Sequence, residues 1–287
     1  MKKITLFLFL LVSNCFPQLV PRFQHQPPVG YQINLGHPDA QSLIGLWLFN
    51  EGLGGKVFDL SPYGRDGSLE NMNSRDDWVG DEHGFALDFD GSNDRINVGQ
   101  IDISGLLELS ILVRFRWNEQ TGDEQTLTSN FDTPQAGHLF RLEPAGNHLE
   151  VFVEATGSLV GGSFTDLTVD SFDDWHIAVF TYNSVDALRC YLDGIESTTN
   201  FSADGTLATT ASTNEFWFGN TPHSALNDQF RGRIDFVLLF DRTLTATEVQ
   251  KFQIYQYAMF DQPPGRILAA AVAAAAVERR RLIIAND

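Results

Sequence analysis

From residue 42 to residue 262 the chain repeats one pattern, short apolar runs that alternate with polar residues and are cut by turn signals, with no helical period between them. Ten runs carry it: "LIGLWLF", "FALDF", "RINVG", "LSILVRFRW", "HLFRL", "HLEVFVE", "WHIAVFTY", "ALRCYLDG", "NEFWFG" and "RIDFVLLF". A period of two sends successive side chains to opposite faces, so each run reads as a half-buried strand. Many short strands in succession predict an all-β fold, an antiparallel β-sandwich of the jelly-roll kind. Within "YLDGIE" the Asp193-Gly194 pair suits a two-residue hairpin turn, which needs positive φ.

One short C-terminal helix interrupts the pattern. "LTATEVQKFQIYQYAMF" offers Thr245 as N-cap with Glu248 three residues on, a capping box, and Leu244 and Val249 are placed for a hydrophobic staple. This helix should end before Pro263.

The flanks read differently. Lys2 and Lys3 precede an apolar run, Ile4 to Val12, that is too short to span a bilayer, so residues 1–17 are read as an export signal. A start codon set upstream of a cytosolic protein is the alternative, and Asn14 stands where a lipoprotein signal ending at Cys15 would need a small residue. Residues 18–41 are rich in Pro, Gln and Gly without period, an extended lead-in. The tail, 263–287, is alanine-rich and then basic; it is read as a packed or frayed helix, or as a surface-sorting signal. Neither flank supplies a transmembrane span. Cys190 then stands alone as a small apolar strand residue, with no disulfide framework.

Charge excludes one class of partner. Residues 41–262 carry 12 bases against 34 acids, a net −22, and such a body repels phosphates, so no nucleic-acid partner is expected.

The acid-rich "FALDFDGSNDRINVG", Phe85 to Gly99, poses the question of a calcium loop. A helix-loop-helix calcium site needs Glu at the twelfth position, and counting from Asp88 that position is Gly99. Strand alternation on both flanks instead predicts a β-hairpin, with Asp88, Asp90 and Asp94 as turn and exposed-face residues.

With these pieces in order the chain resembles the laminin-G-like branch of the concanavalin A-like lectin/glucanase superfamily. The carriers are "GLWLFNEGLGGKVFDLSPYGRDGSL", "FALDFDGSNDRINVG", "LSILVRFRW", "DDWHIAVFTYNSVDALRCYLDG" and "FRGRIDFVLLFDRTLTATEV". The resemblance implies a jelly roll of two curved sheets that often binds calcium and often recognises glycans or cell surfaces. It also implies that the acid of "GRID", Asp235, comes near the loop after the first strand. That loop presents Glu51, Asp59 and Asp66 among glycines that free backbone carbonyls, so Glu51, Asp59, Asp66 and Asp235 are the candidate calcium ligands. The competing reading makes Asp59 the cap of the turn "DLSPYG".

Glucanases of this fold resemble one another in three alternating acids on a strand, and no such run exists here. "HLEVFVE" offers two acids, Glu150 and Glu154, on one face, and the seven histidines form no hydrolase pattern. Alternation does place Arg114, Arg116, Arg141 and Phe152 on outward positions, a candidate polar ligand platform if their strands are neighbours. Cross-strand ion pairing is the plainer account of the same residues. The expectation is therefore a secreted or cell-surface, non-enzymatic binding module, calcium-stabilised, recognising a glycan or surface polymer. A structural surface or virion appendage domain is the alternative, and a glycoside hydrolase is the third class.

Overall fold

The computed structural model describes residues 25–81, 83–118, 123–131, 137–207, 215–223 and 228–260. The export signal read over 1–17 and the tail 263–287 lie outside the described residues. In chain order the strands are β1 (Leu43–Trp47), β2 (Lys56–Val57), β3 (Gly67–Glu70), β4 (Trp78–Asp81), β5 (Gly84–Asp90), β6 (Arg95–Gln100), β7 (Glu108–Trp117), β8 (Gln125–Ser129) and β9 (His138–Glu143). They continue as β10 (His148–Ala155), β11 (Ser158–Thr168), β12 (Trp175–Asn183), β13 (Ala187–Leu192), β14 (Ile195–Glu196), β15 (Phe201–Ser202), β16 (Glu215–Phe218) and β17 (Arg231–Phe240), before the helix α1 (Ala246–Ile254).

Two antiparallel sheets result. The nine-stranded sheet runs β14-β13-β12-β7-β17-β5-β4, with β1 also on β17 and β15 on β13; the eight-stranded sheet runs β11-β10-β9-β8-β16-β6-β3-β2. Their facing sides form one core, in which Ile111, Val113, Phe115 and Trp117 of β7 meet Phe140 and Leu142 of β9 and Phe216 and Phe218 of β16. Edge-to-face ring pairs join the sheets, Trp47 to Phe218 at 5.0 Å and Phe140 to Phe180 at 5.3 Å between centroids. Cys190 is a fully buried member of this core.

A second apolar cluster covers the other side of the nine-stranded sheet. Leu112, Ile177, Val179, Phe236 and Leu238 point outward there and are roofed by Val249 and Phe252 of α1 and by Met259 and Phe260. The helix is set by its capping box, with the Thr245 hydroxyl accepting from the Glu248 N–H and the Glu248 carboxylate accepting from the Thr245 N–H. Tyr31 and Ile33 pack on this cluster and Asn34 N–H donates to Met259 O at 2.8 Å. The segment expected to be an extended lead-in thus has, from residue 25 on, no strand but a fixed place on the sandwich. Gln26 fastens it: its amide donates to Leu48 O and to Phe85 O, and its oxygen accepts from Phe85 N–H.

The stretch Phe85 to Gly99 is not a hairpin. β5 pairs with β4 and β17 in one sheet, and β6 pairs with β3 and β16 in the other, so the turn at residues 91–94 carries the chain across the sandwich. Alternation fixes which side chains face inward, and here both strands face the same core from opposite sheets, which alternation alone does not distinguish from a hairpin. The acids do make the turn: Asp90 accepts from Ser92 N–H, and Asp94 accepts from Asp90 N–H. Asp94 is buried, unlike the exposed residue expected. Burial, with Asp90 and Asp77 nearby, pushes its carboxyl up to about 6.

Candidate functional site

The roof of α1 and residues 258–260 covers the nine-stranded sheet, and among the described residues no apolar cluster of this kind covers the outer side of the eight-stranded sheet. One register row crosses all eight strands there: Lys56, Ser68, Asn97, Trp217, Ser129, Leu139, Phe152 and Gly161, each opposite the next. Trp217 and Phe152 are half-buried, whereas Ser129 and Leu139 between them are buried, so the row has two accessible aromatic stations with a closed middle. Three strand spacings separate them, about 14 Å. Trp217 is outward because Phe216 and Phe218 take the core; alternation in "NEFWFG" carried that signal, and it went unused.

Around Trp217 the polar groups are locked to one another. Arg95 lies over the indole, 4.1 Å from the ring centre, and holds Glu70 at 2.6–2.7 Å. Asn97 donates to Glu70 at 3.0 Å and to Glu215 at 2.9 Å, and the indole N–H donates to Glu215 at 3.1 Å. Near Phe152, Arg141 is shared by Glu150 and Asp228, each at 2.6 Å, with Glu124 at 3.7 Å. Burial works against the Arg141 charge, but those carboxylates outweigh it and hold its pKa above the usual value. Ser163 on β11 donates to Glu150 at 2.9 Å, closing the network.

The four residues nominated as one platform separate into two groups. Arg141 and Phe152 share the eight-stranded sheet; Arg114 and Arg116 lie on β7 of the nine-stranded sheet. Their strands are not neighbours, which the separate runs could not reveal. Arg114 is buried in an ion pair with Asp235 and lies 4.5 Å over the Trp175 ring; Arg116 pairs with Asp173 at 3.3 Å. Between Ile234 and Phe236 the β7–β17 register shifts, so Asp235 is the extra residue of a bulge.

Of the candidate calcium ligands, Glu51, Asp59 and Asp66 share one loop, where Asp66 accepts from Asp59 N–H at 3.2 Å, whereas Asp235 is taken by an ion pair. Asp59 accepts from Leu46 and Ser61 N–H on one oxygen and from Ser61 Oγ–H and Arg65 N–H on the other, at 2.8–3.0 Å, which uses its lone pairs in capping the turn. Asp235 faces Arg114. Glu51 accepts from Phe58 N–H at 2.7 Å through one oxygen, and its other, buried oxygen has no hydrogen-bond partner. Burial pushes the Glu51 carboxyl up, and Asp66 adds to this despite the backbone hydrogen bonds. Among the described residues no group of three or more His, Cys, Asp or Glu is arranged to hold a metal ion.

His176 lies 2.7 Å from Asp193 through Nδ1 and 3.2 Å from Ser171 Oγ through Nε2, an order of groups that invites comparison with a nucleophilic relay. Nε2 is as close, 3.1 Å, to the Ser171 carbonyl oxygen. Burial disfavours the imidazolium, but Asp193 and that carbonyl outweigh it and raise the pKa; because a carbonyl oxygen can only accept, its contact with Nε2 is one in which Nε2–H donates. Asp193 accepts Ile177 N–H with its other oxygen, and the pair anchors the hairpin turn that Asp193 and Gly194 make at φ 51° and 80°.

Comparison with known proteins agrees with this geometry. A family described as the Concanavalin A-like lectin/glucanases superfamily, laminin-G type, matches residues 90–250. No curated protein matches by sequence. Among solved structures, domain 4 of an extracellular GH43 arabinanase from Geobacillus stearothermophilus, in complex with arabinotriose, superposes with a TM-score of 0.57 at 15% identity, covering 74% of this chain and 98% of that one. The binding domain of Paraclostridial Mosquitocidal Protein 1 does so with 0.57 at 16% identity, over 74% of this chain and 52% of the other. The receptor-binding domain of botulinum neurotoxin D gives 0.56 at 13% identity, over 75% and 53%. A sialidase from Trypanosoma rangeli gives 0.55 at 12% identity, over 76% of this chain but 33% of the enzyme. These likenesses are of fold. The family match spans more than half the sequence, and the chain belongs to the laminin-G-like branch of the concanavalin A-like lectin/glucanase superfamily.

Proposed function

We propose that this chain is a secreted or cell-surface, non-enzymatic binding module that holds a neutral glycan or other hydroxyl-rich surface polymer on the outer face of the eight-stranded sheet. The observation that carries this reading is the register row with Trp217 and Phe152 about 14 Å apart, the reach of a short oligosaccharide, flanked by bases that are each answered by a carboxylate. Aromatic stations supply apolar contact for sugar rings, and prepaid hydrogen-bond networks supply fixed acceptors. With Arg95 and Arg141 occupied and acids in excess, an anionic glycan would meet repulsion. That an arabinanase domain of this fold is seen with arabinotriose, and that two others are binding domains of toxins, supports the same class. Calcium enters as a proposal confined to Glu51, Asp66 and neighbouring carbonyls, since Asp59 and Asp235 are held by protein donors.

A glycan array probed with the intact protein tests this. Neutral oligosaccharides should be retained, and added salt should leave binding unchanged. Trp217→Ala and Phe152→Ala should each weaken it about five- to tenfold, since an aromatic contact is worth on the order of 1 kcal/mol. Retention of no glycan, or binding that neither variant affects, would overturn the assignment.

A further inference from the structure

Away from that row, the tip of the β10–β11 hairpin meets the short strand β15 where the edges of the two sheets approach. A cleft of about 310 Å³ opens there, lined by Ala155, Thr156, Ser158, Val160, Ser202, Asp204 and Gly205. That volume is at the lower end of small-ligand sites, so it suits one or two sugar rings rather than a long chain. We propose that this cleft is a separate binding subsite for a neutral, hydroxyl-rich ligand, a sugar unit, with the Asp204 carboxylate as its principal acceptor.

The chemistry of the lining is what points to that class. Among the described residues nothing donates to the Asp204 carboxylate, and the hydroxyls of Ser158 and Ser202 are likewise uncommitted to the protein. The carboxylate can accept from two neighbouring hydroxyls at once, and each serine can both donate and accept. Ala155 and Val160 provide apolar wall for the C–H side of a ring. Among the described residues no base lines the cleft, so a phosphate, sulfate or sialic acid would meet Asp204 without compensation. One carboxylate alone also falls short of the oxygen cage a calcium ion needs.

The cleft is built before any ligand arrives. Thr156 and Gly157 turn the hairpin at φ 48° and 79°, and the Thr156 N–H donates to Thr206 O at 2.9 Å. Ala155 bridges to Leu207, and the Tyr182 hydroxyl donates to Gly205 O at 2.7 Å from beneath. Position 205 requires glycine: φ is 83°, and a Cβ there would lie 1.6 Å from Thr156 Oγ1. A backbone frame fixed in this way loses little freedom on binding.

The ligand class rests on the proposed function, but the location does not, and the two can fail separately. The test is ligand-observed and backbone-amide NMR on the intact protein at millimolar arabinotriose, maltotriose and cellotriose, with 3′-sialyllactose as the anionic arm. At least one neutral sugar should shift the amides of Ser158, Ser202 and Gly205, and sialyllactose should not. Asp204→Ala should weaken that sugar tenfold or more and Asp204→Asn by less, because the amide keeps one acceptor; the Asp204 side chain is exposed, so folding is checked by an unchanged melting temperature. Shifts at Trp217 and Phe152 without any at the cleft would refute the subsite and leave the sheet-face reading standing. Cleft shifts abolished by Asp204→Ala, with no shift at Trp217 or Phe152 from any sugar, would uphold the subsite and refute the face. No shift from any neutral sugar, or binding only of sialyllactose, overturns the proposal.

Discussion

Asp235→Asn is the substitution whose outcome the structure constrains most. Arg114 and Asp235 have side chains 7% and 4% exposed, and the bulge at Asp235 is what brings the carboxylate to the guanidinium. The amide keeps the shape and removes one charge, which strands the other in a low-dielectric site. Breaking a buried pair from one side costs about 3–5 kcal/mol. For a domain of this size each kcal/mol moves Tm by roughly 2–4 °C, so a fall of about 6–20 °C is expected by calorimetry. Arg114→Met should do similar damage. The double variant Arg114→Met/Asp235→Leu should recover most of the loss, because a well-packed apolar pair replaces buried ions at little net cost. The loss should be equal with calcium or with a chelator present. A Tm change below about 2 °C for Asp235→Asn would refute the buried-pair account; a loss seen only in calcium would place Asp235 in a cation site instead.

Three further outcomes are expected. Gln26→Ala should lower stability by about 1–3 kcal/mol in urea titration, because the amide serves Leu48 O and both polar groups of Phe85; an unchanged midpoint would mean that water replaces it. Asp94, with a folded-state pKa of about 6 against the ordinary 3.8, binds its proton more tightly when folded. Its contribution is therefore complete below pH 3.8 and is lost as pH rises through 6. Asp94→Asn should flatten that part of the pH–stability curve and add on the order of 2 kcal/mol at pH 7; parallel curves for the two proteins would refute the assignment. For calcium, Glu51→Gln should blunt any rise of Tm with added metal and Asp59→Asn should instead lower Tm with or without it, since Asp59 caps a turn. The reverse pattern would put the ion at Asp59.

Strand positions were legible because alternation is a local property: the inward set of β7, the capped helix and the Asp193-Gly194 turn each follow from adjacent residues. Partners were not, because pairing is set by contacts distant in sequence. The turn of Asp90 and Asp94 was visible, but not that it leads from one sheet to the other. Arg114 and Arg141 both sit at outward positions of their strands, yet one outward side is a second apolar cluster with a buried ion pair and the other bears the polar network. That second cluster also explains why β17 is apolar on both faces from Phe236 to Phe240 rather than alternating. The cleft at Asp204 left no mark in the sequence, since "EATGS" and "SADGT" read as ordinary turns and only the approach of the two sheet edges makes a site of them.

The placement of β17 has a consequence for how the protein is made. This strand, near the end of the described chain, lies between β7 and β5 and also bears β1. Synthesis runs from the N-terminus, so β1, β5 and β7 leave the ribosome long before the strand that joins them. Until residue 240 has emerged, the nine-stranded sheet exists as fragments, a β4–β5 pair and a β7–β12–β13 group, each with an unpaired edge. A chain ending before β17 would lose the keystone of the sheet and keep its margins. The intact protein must wait for β17, which makes folding slow and close to all-or-none, and exposes the waiting edges to neighbouring copies.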